Sequence, residues 1–313
     1  MGTIRGVYSI LSTPFNTGGE LDPSSLRRLV DETIKAGVDG ITILGVAGEA
    51  QKLTNKERQT VLNVTMEITS GRLPIIVGTS HDGTDATIIA SLEAEQAGAA
   101  GIMVAPPTFL QPGPVLTEHY RRIASAVSLP IVLQDYPPLN GVTLSPQSMS
   151  ELANAIPAIT TIKLEDTPTP LRIAQTFALL GDRLVSIVGG IGAVYFLDEL
   201  RRGSHGTMTG FAFPEILVAM WRCWQTGERQ TASEIYARYL PLLVFEGQPK
   251  IGLAVRKELL RLRGLIASGS VRFPGPALDM SLRADLEETL ALLDLHAPFE
   301  NLQFVLNAFH ATS

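Results

Sequence analysis

Cysteine is almost absent from the chain, which carries one, Cys223, among 313 residues. A single thiol excludes an internal disulfide framework, leaves no thiolate cluster for zinc or an iron–sulfur centre, and fits a cytoplasmic address. A basic surplus is missing too. The 25 lysines and arginines are scattered and face 31 acids, for a formal net charge of −6. Nucleic acid and anionic membranes are therefore not expected partners. No apolar run approaches transmembrane length, and the opening stretch MGTIRGVYSILSTPF has neither the long apolar core nor the small-residue cleavage site of a signal peptide. Histidines number 5, and no spaced set of His, Asp and Glu suggests a metal site. A small molecule is the partner these absences leave.

What is present is repetition. Short β-branched or apolar runs recur, each followed by an amphipathic segment: GVYSILSTPF from Gly6, GITILG from Gly40, LPIIVGTS from Leu73 and GIMVAP from Gly101. The series continues with PIVLQDY from Pro130, ITTIKLE from Ile159, LVSIVGG from Leu184 and GTMTGF from Gly206. Nearly continuous apolar strands alternating with helices indicate a parallel sheet covered by helices. Eight such units predict an α/β fold of the (β/α)8 TIM-barrel type over residues 1–225. Beyond about Pro214 the strand signals stop and successive helical patterns follow, so residues 226–313 are expected to form a helical region packed on the barrel. Local punctuation agrees with this reading. Asp22-Pro23 opens one helix; Thr54 with Glu57 three residues later makes a capping box for the next, which Gly71 is expected to stop.

Within the sixth apolar run, AITTIKLEDTP from Ala158 places a lysine where burial of its charge is costly. Strand side chains alternate, so Thr161, Lys163 and Glu165 share a face, which points inward if Ile162 and Leu164 meet the helices. At the mouth of such a barrel, desolvation favours the neutral amine, and Lys163 could attack a substrate carbonyl to form a Schiff base. The competing reading is a structural ion pair with Glu165 or Asp166. A second stretch, GVAGEAQKLT from Gly45, follows the second run. Its glycines suit a tight turn in which the N–H groups of Val46 and Ala47 face an anion, or an ordinary strand-to-helix turn.

GVAGE from Gly45, TPF at Thr13–Phe15, LPIIVGTS, GIMVAPP and TIKLED, each at its barrel strand, together resemble the dihydrodipicolinate synthase and N-acetylneuraminate lyase family of pyruvate-type class I aldolases. The resemblance implies Schiff-base chemistry on 2-oxo acids, with Lys163 matching the imine-forming lysine. Gly45, Val46, Ala47 and Gly48 match the carboxylate-binding turn. Thr13, Gln134, Gly189 and Gly190 match positions beside the substrate, the two glycines giving backbone room there. The resemblance also implies a homotetramer with no metal and no organic cofactor.

Departures from the family pattern bear on the substrate. Gln134 stands where the family carries its proton-relay tyrosine, and Tyr136 lies two residues on, roughly 6–7 Å along the same face. Tyr136 is thus a displaced relay or a wall residue; Glu165 is a second relay or the lysine's counter-ion. Val46 and Ala47 replace two threonines of the turn. Leu139 replaces an arginine that binds a substrate carboxylate in lysine-biosynthetic members, and PPTF from Pro106 lacks their tyrosine pair. Each loss weakens the lysine-biosynthesis reading. The leading expectation is a dihydrodipicolinate synthase-like Schiff-base lyase, a carbon–carbon lyase or dehydratase acting on pyruvate or another 2-oxo acid through Lys163. The alternative is an aldolase or dehydratase of a 2-oxo-3-deoxy sugar acid, with Thr108, Phe109 and Leu139 expected to decide. A catalytically silent oxo-acid-binding barrel is the reading from another class. A phosphate-binding barrel isomerase, suggested by the glycines of VGGIGAV and GTMTGF, ranks last.

Overall fold

The computed structural model describes residues 3–297, 299 and 302. Eight strands occur in the eight apolar runs: β1 (Gly6–Ile10), β2 (Gly40–Ile43), β3 (Ile75–Gly78), β4 (Gly101–Val104), β5 (Ile131–Asp135), β6 (Ile159–Leu164), β7 (Ser186–Val188) and β8 (Gly206–Thr209). Each pairs in parallel with its sequence neighbour from β1 to β7, and β1 also pairs with β8. A parallel bridge between Gly189 and Thr207 joins the β7 and β8 edges. The (β/α)8 barrel expected from the sequence is thereby formed.

Alternation along the strands sorts the side chains into two cores. Ile75 and Val77, Ile102 and Val104, Ile131 and Leu133, and Ile162 and Leu164 face outward into one large cluster with the helices. Their neighbours Ile76, Met103 and Val132, with Ile4, Tyr8, Ile10, Val188 and Met208, fill the barrel interior. Complete burial of such side chains stabilises the fold by about 1.5–3 kcal/mol each. Tyr8 spans the barrel so closely to β2 that a Cβ at Gly40 would overlap its ring; glycine at that strand entrance follows from the packing.

Around the barrel run α1 (Pro23–Lys35), α2 (Asn55–Thr69), α3 (Thr84–Gln96), α4 (Pro114–Ala126), the short α5 (Pro137–Asn140), α6 (Pro146–Ala155), α7 (Thr169–Leu180), α8 (Phe196–Arg201) and α9 (Pro214–Thr226). The capping box at α2 is present: the Glu57 N–H donates to Thr54 Oγ1 at 3.3 Å, and the Thr54 N–H donates to Glu57 Oε2 at 2.9 Å. This helix stops one residue before the expected glycine, because Ser70 itself takes the left-handed conformation at φ 46°.

Three further helices, α10 (Arg229–Glu246), α11 (Gly252–Leu262) and α12 (Met280–Leu292), form the C-terminal region. It lies against the barrel. Glu246 at the end of α10 accepts from the Ala212 N–H at 3.0 Å, and Phe299 packs edge-on against Phe213 with ring centroids 5.2 Å apart. Among the described residues, no helix is long and apolar enough to cross a membrane.

Candidate active site

The C-terminal ends of the strands open onto a cavity of about 440 Å³. Lys163, in the inward set of β6, lines it and is 2 % exposed. Its strand neighbours explain the position: it pairs in register with Gln134 of β5 on one side and Val188 of β7 on the other.

Glu165, just past β6, is Lys163's partner, with Oε2 at 2.7 Å from Nζ. The same Oε2 accepts from Gln134 Nε2 at 3.1 Å, and Oε1 accepts from the Ile191 N–H at 3.2 Å. Asp166, the other acid offered as a counter-ion, is instead 3.3 Å from Arg172, which also reaches Asp135. The ion-pair geometry is thus realised, and it faces open volume instead of packed core. That distinction matters chemically: an amine and a carboxylate in contact at a cavity wall can exchange a proton as a substrate approaches.

Tyr136 follows β5 and lines the same cavity. Burial first, and then the Glu165 carboxylate, push its phenol above the ordinary value, with Arg256 opposing. Its displacement from position 134 therefore leaves it in the cavity, within the electrostatic reach of Glu165.

Two 3-10 turns follow β2, Val46–Gly48 and Ala50–Lys52, with Glu49 between them. Val46 and Ala47 line the cavity, and neither N–H has an acceptor among the described residues. Gly45, Gly48 and Thr13 sit behind this wall. Thr13 Oγ1 donates to the Gly48 carbonyl at 2.6 Å, so its hydroxyl holds the turn. Gly189 and Gly190 also stand behind the wall, and the room they leave is filled by protein: a Cβ at Gly190 would overlap the Glu165 carboxylate, and one at Gly189 that of Glu199.

Glu49, ending the turn at φ 56°, is held from the C-terminal region. Lys257 Nζ of α11 lies 2.5 Å from Oε1, while Lys52 Nζ at 2.9 Å and the Arg272 N–H at 3.0 Å reach Oε2. Lys257 is fully buried, and burial pulls its ammonium down to about 8 against the pull of Glu49.

One expectation needs correction. Thr108, Phe109 and Leu139 do not line the cavity. Thr108 is tied through its N–H and hydroxyl to Asp82, at 2.8 and 2.9 Å, and Phe109 points to solvent. The outer wall comes instead from Glu246, Gln248, Lys250 and Arg256 of the C-terminal region. Sequence reasoning missed these residues. The available signal was the run Arg256-Lys257-Glu258 inside an apolar helical pattern, and all three side chains are buried.

Residues 3–292 match the Dihydrodipicolinate synthetase family. The L-2-keto-3-deoxyarabonate dehydratase of Azospirillum brasilense is 34% identical over 294 residues, covering 93% of this chain and 94% of that protein. A probable 2-dehydro-3-deoxy-D-pentonate aldolase of Escherichia coli is 29% identical over 246 residues, covering 77% and 81%. The crystal structure of dihydrodipicolinate synthase from Rhodopseudomonas palustris, 33% identical, superposes with a TM-score of 0.88 over 92% of this chain and 97% of that one.

Proposed function

Because the chain belongs to the dihydrodipicolinate synthetase family, we propose that it is a Schiff-base lyase acting on a 2-oxo-3-deoxy sugar acid through Lys163. The observation that carries this reading is the contact between Lys163 and Glu165 at the wall of an open cavity. Glu165 takes a proton from Nζ, and the neutral amine attacks C2 of the oxo acid. Loss of the C2 oxygen as water gives the imine. The iminium draws electrons from a C3–H bond as its proton leaves, and the resulting enamine expels the C4 hydroxyl as water; hydrolysis then frees Lys163. Cleavage of C3–C4 from the same imine would make the enzyme an aldolase.

Two features support a sugar acid over pyruvate alone. A cavity of about 440 Å³ falls in the range that holds ligands much larger than a three-carbon acid. The relatives named above as acting on keto-deoxy acids match most of the chain. The Val46–Ala47 turn is assigned the C1 carboxylate through its free N–H groups, with Tyr136 as the second proton carrier.

The test is borohydride reduction with pyruvate and a panel of 2-oxo acids, read by intact mass and peptide mapping. The expected result is a reduced adduct on Lys163 that disappears in Lys163→Ala. No adduct with any acid would reject the reading, and an adduct without product from any of them would favour a silent binding barrel. A homotetramer is also proposed, on the family resemblance. Light scattering should give four times the chain mass, and a monomer mass would reject the assembly.

A further inference from the structure

The cavity extends in one direction only. Beneath Lys163 the barrel is filled by Ile10, Ile76, Met103, Val132, Val188 and Met208. A substrate with C1 at the Val46–Ala47 turn and C2 at Lys163 must therefore run its remaining carbons outward, along the wall built by the C-terminal region.

One of the two cations on that wall is unusually placed. Arg256 is 9 % exposed, and its Nε is 2.5 Å from Glu246 Oε1. Glu246 is itself fixed by the Ala212 N–H, so the guanidinium is clamped from behind. Neither Nη group has an acceptor among the described residues, although Arg256 lines the cavity. At the end of β8 the chain makes room for it: a Cβ at Gly210 would overlap Nη1. A buried guanidinium presents fixed donors, and donors left without acceptors in a cavity call for oxygen on the ligand.

We propose that Arg256 is the specificity-determining residue of this site, donating to hydroxyl oxygens on the substrate chain beyond the imine carbon and so selecting hydroxylated 2-oxo acids over plain ones. The proposal rests on the lyase reading above. Glu246 already offsets the guanidinium charge, which favours neutral hydroxyls over a second carboxylate as the group received. No such residue is available among Thr108, Phe109 and Leu139, none of which reaches the cavity.

Half-saturating concentrations for borohydride trapping should be compared for two five-carbon acids, 2-oxo-3-deoxypentonate and 2-oxopentanoate, which differ in their hydroxyls. The unaltered protein should prefer the hydroxylated acid by about tenfold or more. In Arg256→Gln, whose amide can still donate to Glu246, that ratio should collapse toward one. Gly210→Ala, which displaces the guanidinium and keeps the ion pair's residues, should also lower it. A ratio near one in the unaltered protein, or a ratio unchanged in either folded variant, would overturn the proposal. Absence of any pyruvate adduct on the unaltered protein would instead overturn the lyase reading, so the two failures are distinguishable.

Discussion

A lysine on a barrel strand is informative only together with what stands two residues along. The pair Lys163 and Glu165 was legible because strand alternation puts both on one face, and a charged face in an otherwise apolar run must meet either a partner or a cavity. Here it meets both. Glu165→Gln tests which matters more: it removes the carboxylate charge and base 2.7 Å from Nζ while keeping the shape. Pyruvate imine formation should slow about 100-fold, measured by quenched-flow trapping. An unchanged rate would pass that proton to Tyr136. Arg256 was illegible by the same logic, since nothing in its helix specifies which strand end it will cover. Its function depends on α10 bringing Glu246 behind it, a tertiary event no local pattern encodes.

Among the elements, the strands were readable from their apolar runs and the first two helix starts from their caps, because each depends on residues a few positions apart. The turn after β2 was readable in outline and misleading in detail. Its glycines announce a tight loop, yet the support comes from Lys257 and Arg272 reaching Glu49 across the chain. Stranding either member of a buried pair such as Glu49 and Lys257 costs about 3–5 kcal/mol, so the turn is shaped as much by α11 as by its own sequence. The glycines after β7 carry a similar lesson. Expected to leave space beside a substrate, Gly189 and Gly190 leave it for Glu199 and Glu165. Absence of a side chain marks close approach, and only the fold says what approaches.

For the molecule as a whole, the buried carboxyls set a pH dependence. Burial raises Glu199 to about 8, with Glu165 adding to the rise and Thr169 opposing it, and burial raises Asp135 to about 7 against Arg172. Folded, these groups hold protons that the unfolded chain has released at the ordinary values of 4.5 and 3.8. At these two groups the folded state therefore binds more protons over that interval, and their contribution to stability falls as pH rises toward 8. Glu199→Gln removes one of the two groups. Calorimetry should find its melting temperature close to the parent's at pH values near 5 and higher near 8, by about 2–4 °C for each kcal/mol relieved; parallel curves would show that Glu199 does not govern the slope. The contact between Glu49 and Lys257 has a consequence in time as well as in energy. The two are 208 residues apart in the chain. At ribosomal rates Glu49 is made roughly 10–40 s before its partner. A growing chain can wind its first strands in that interval, but its Glu49 has only Lys52 of its two lysine partners and the cavity has no outer wall. The wall of the cavity is therefore completed by one of the last segments to be translated.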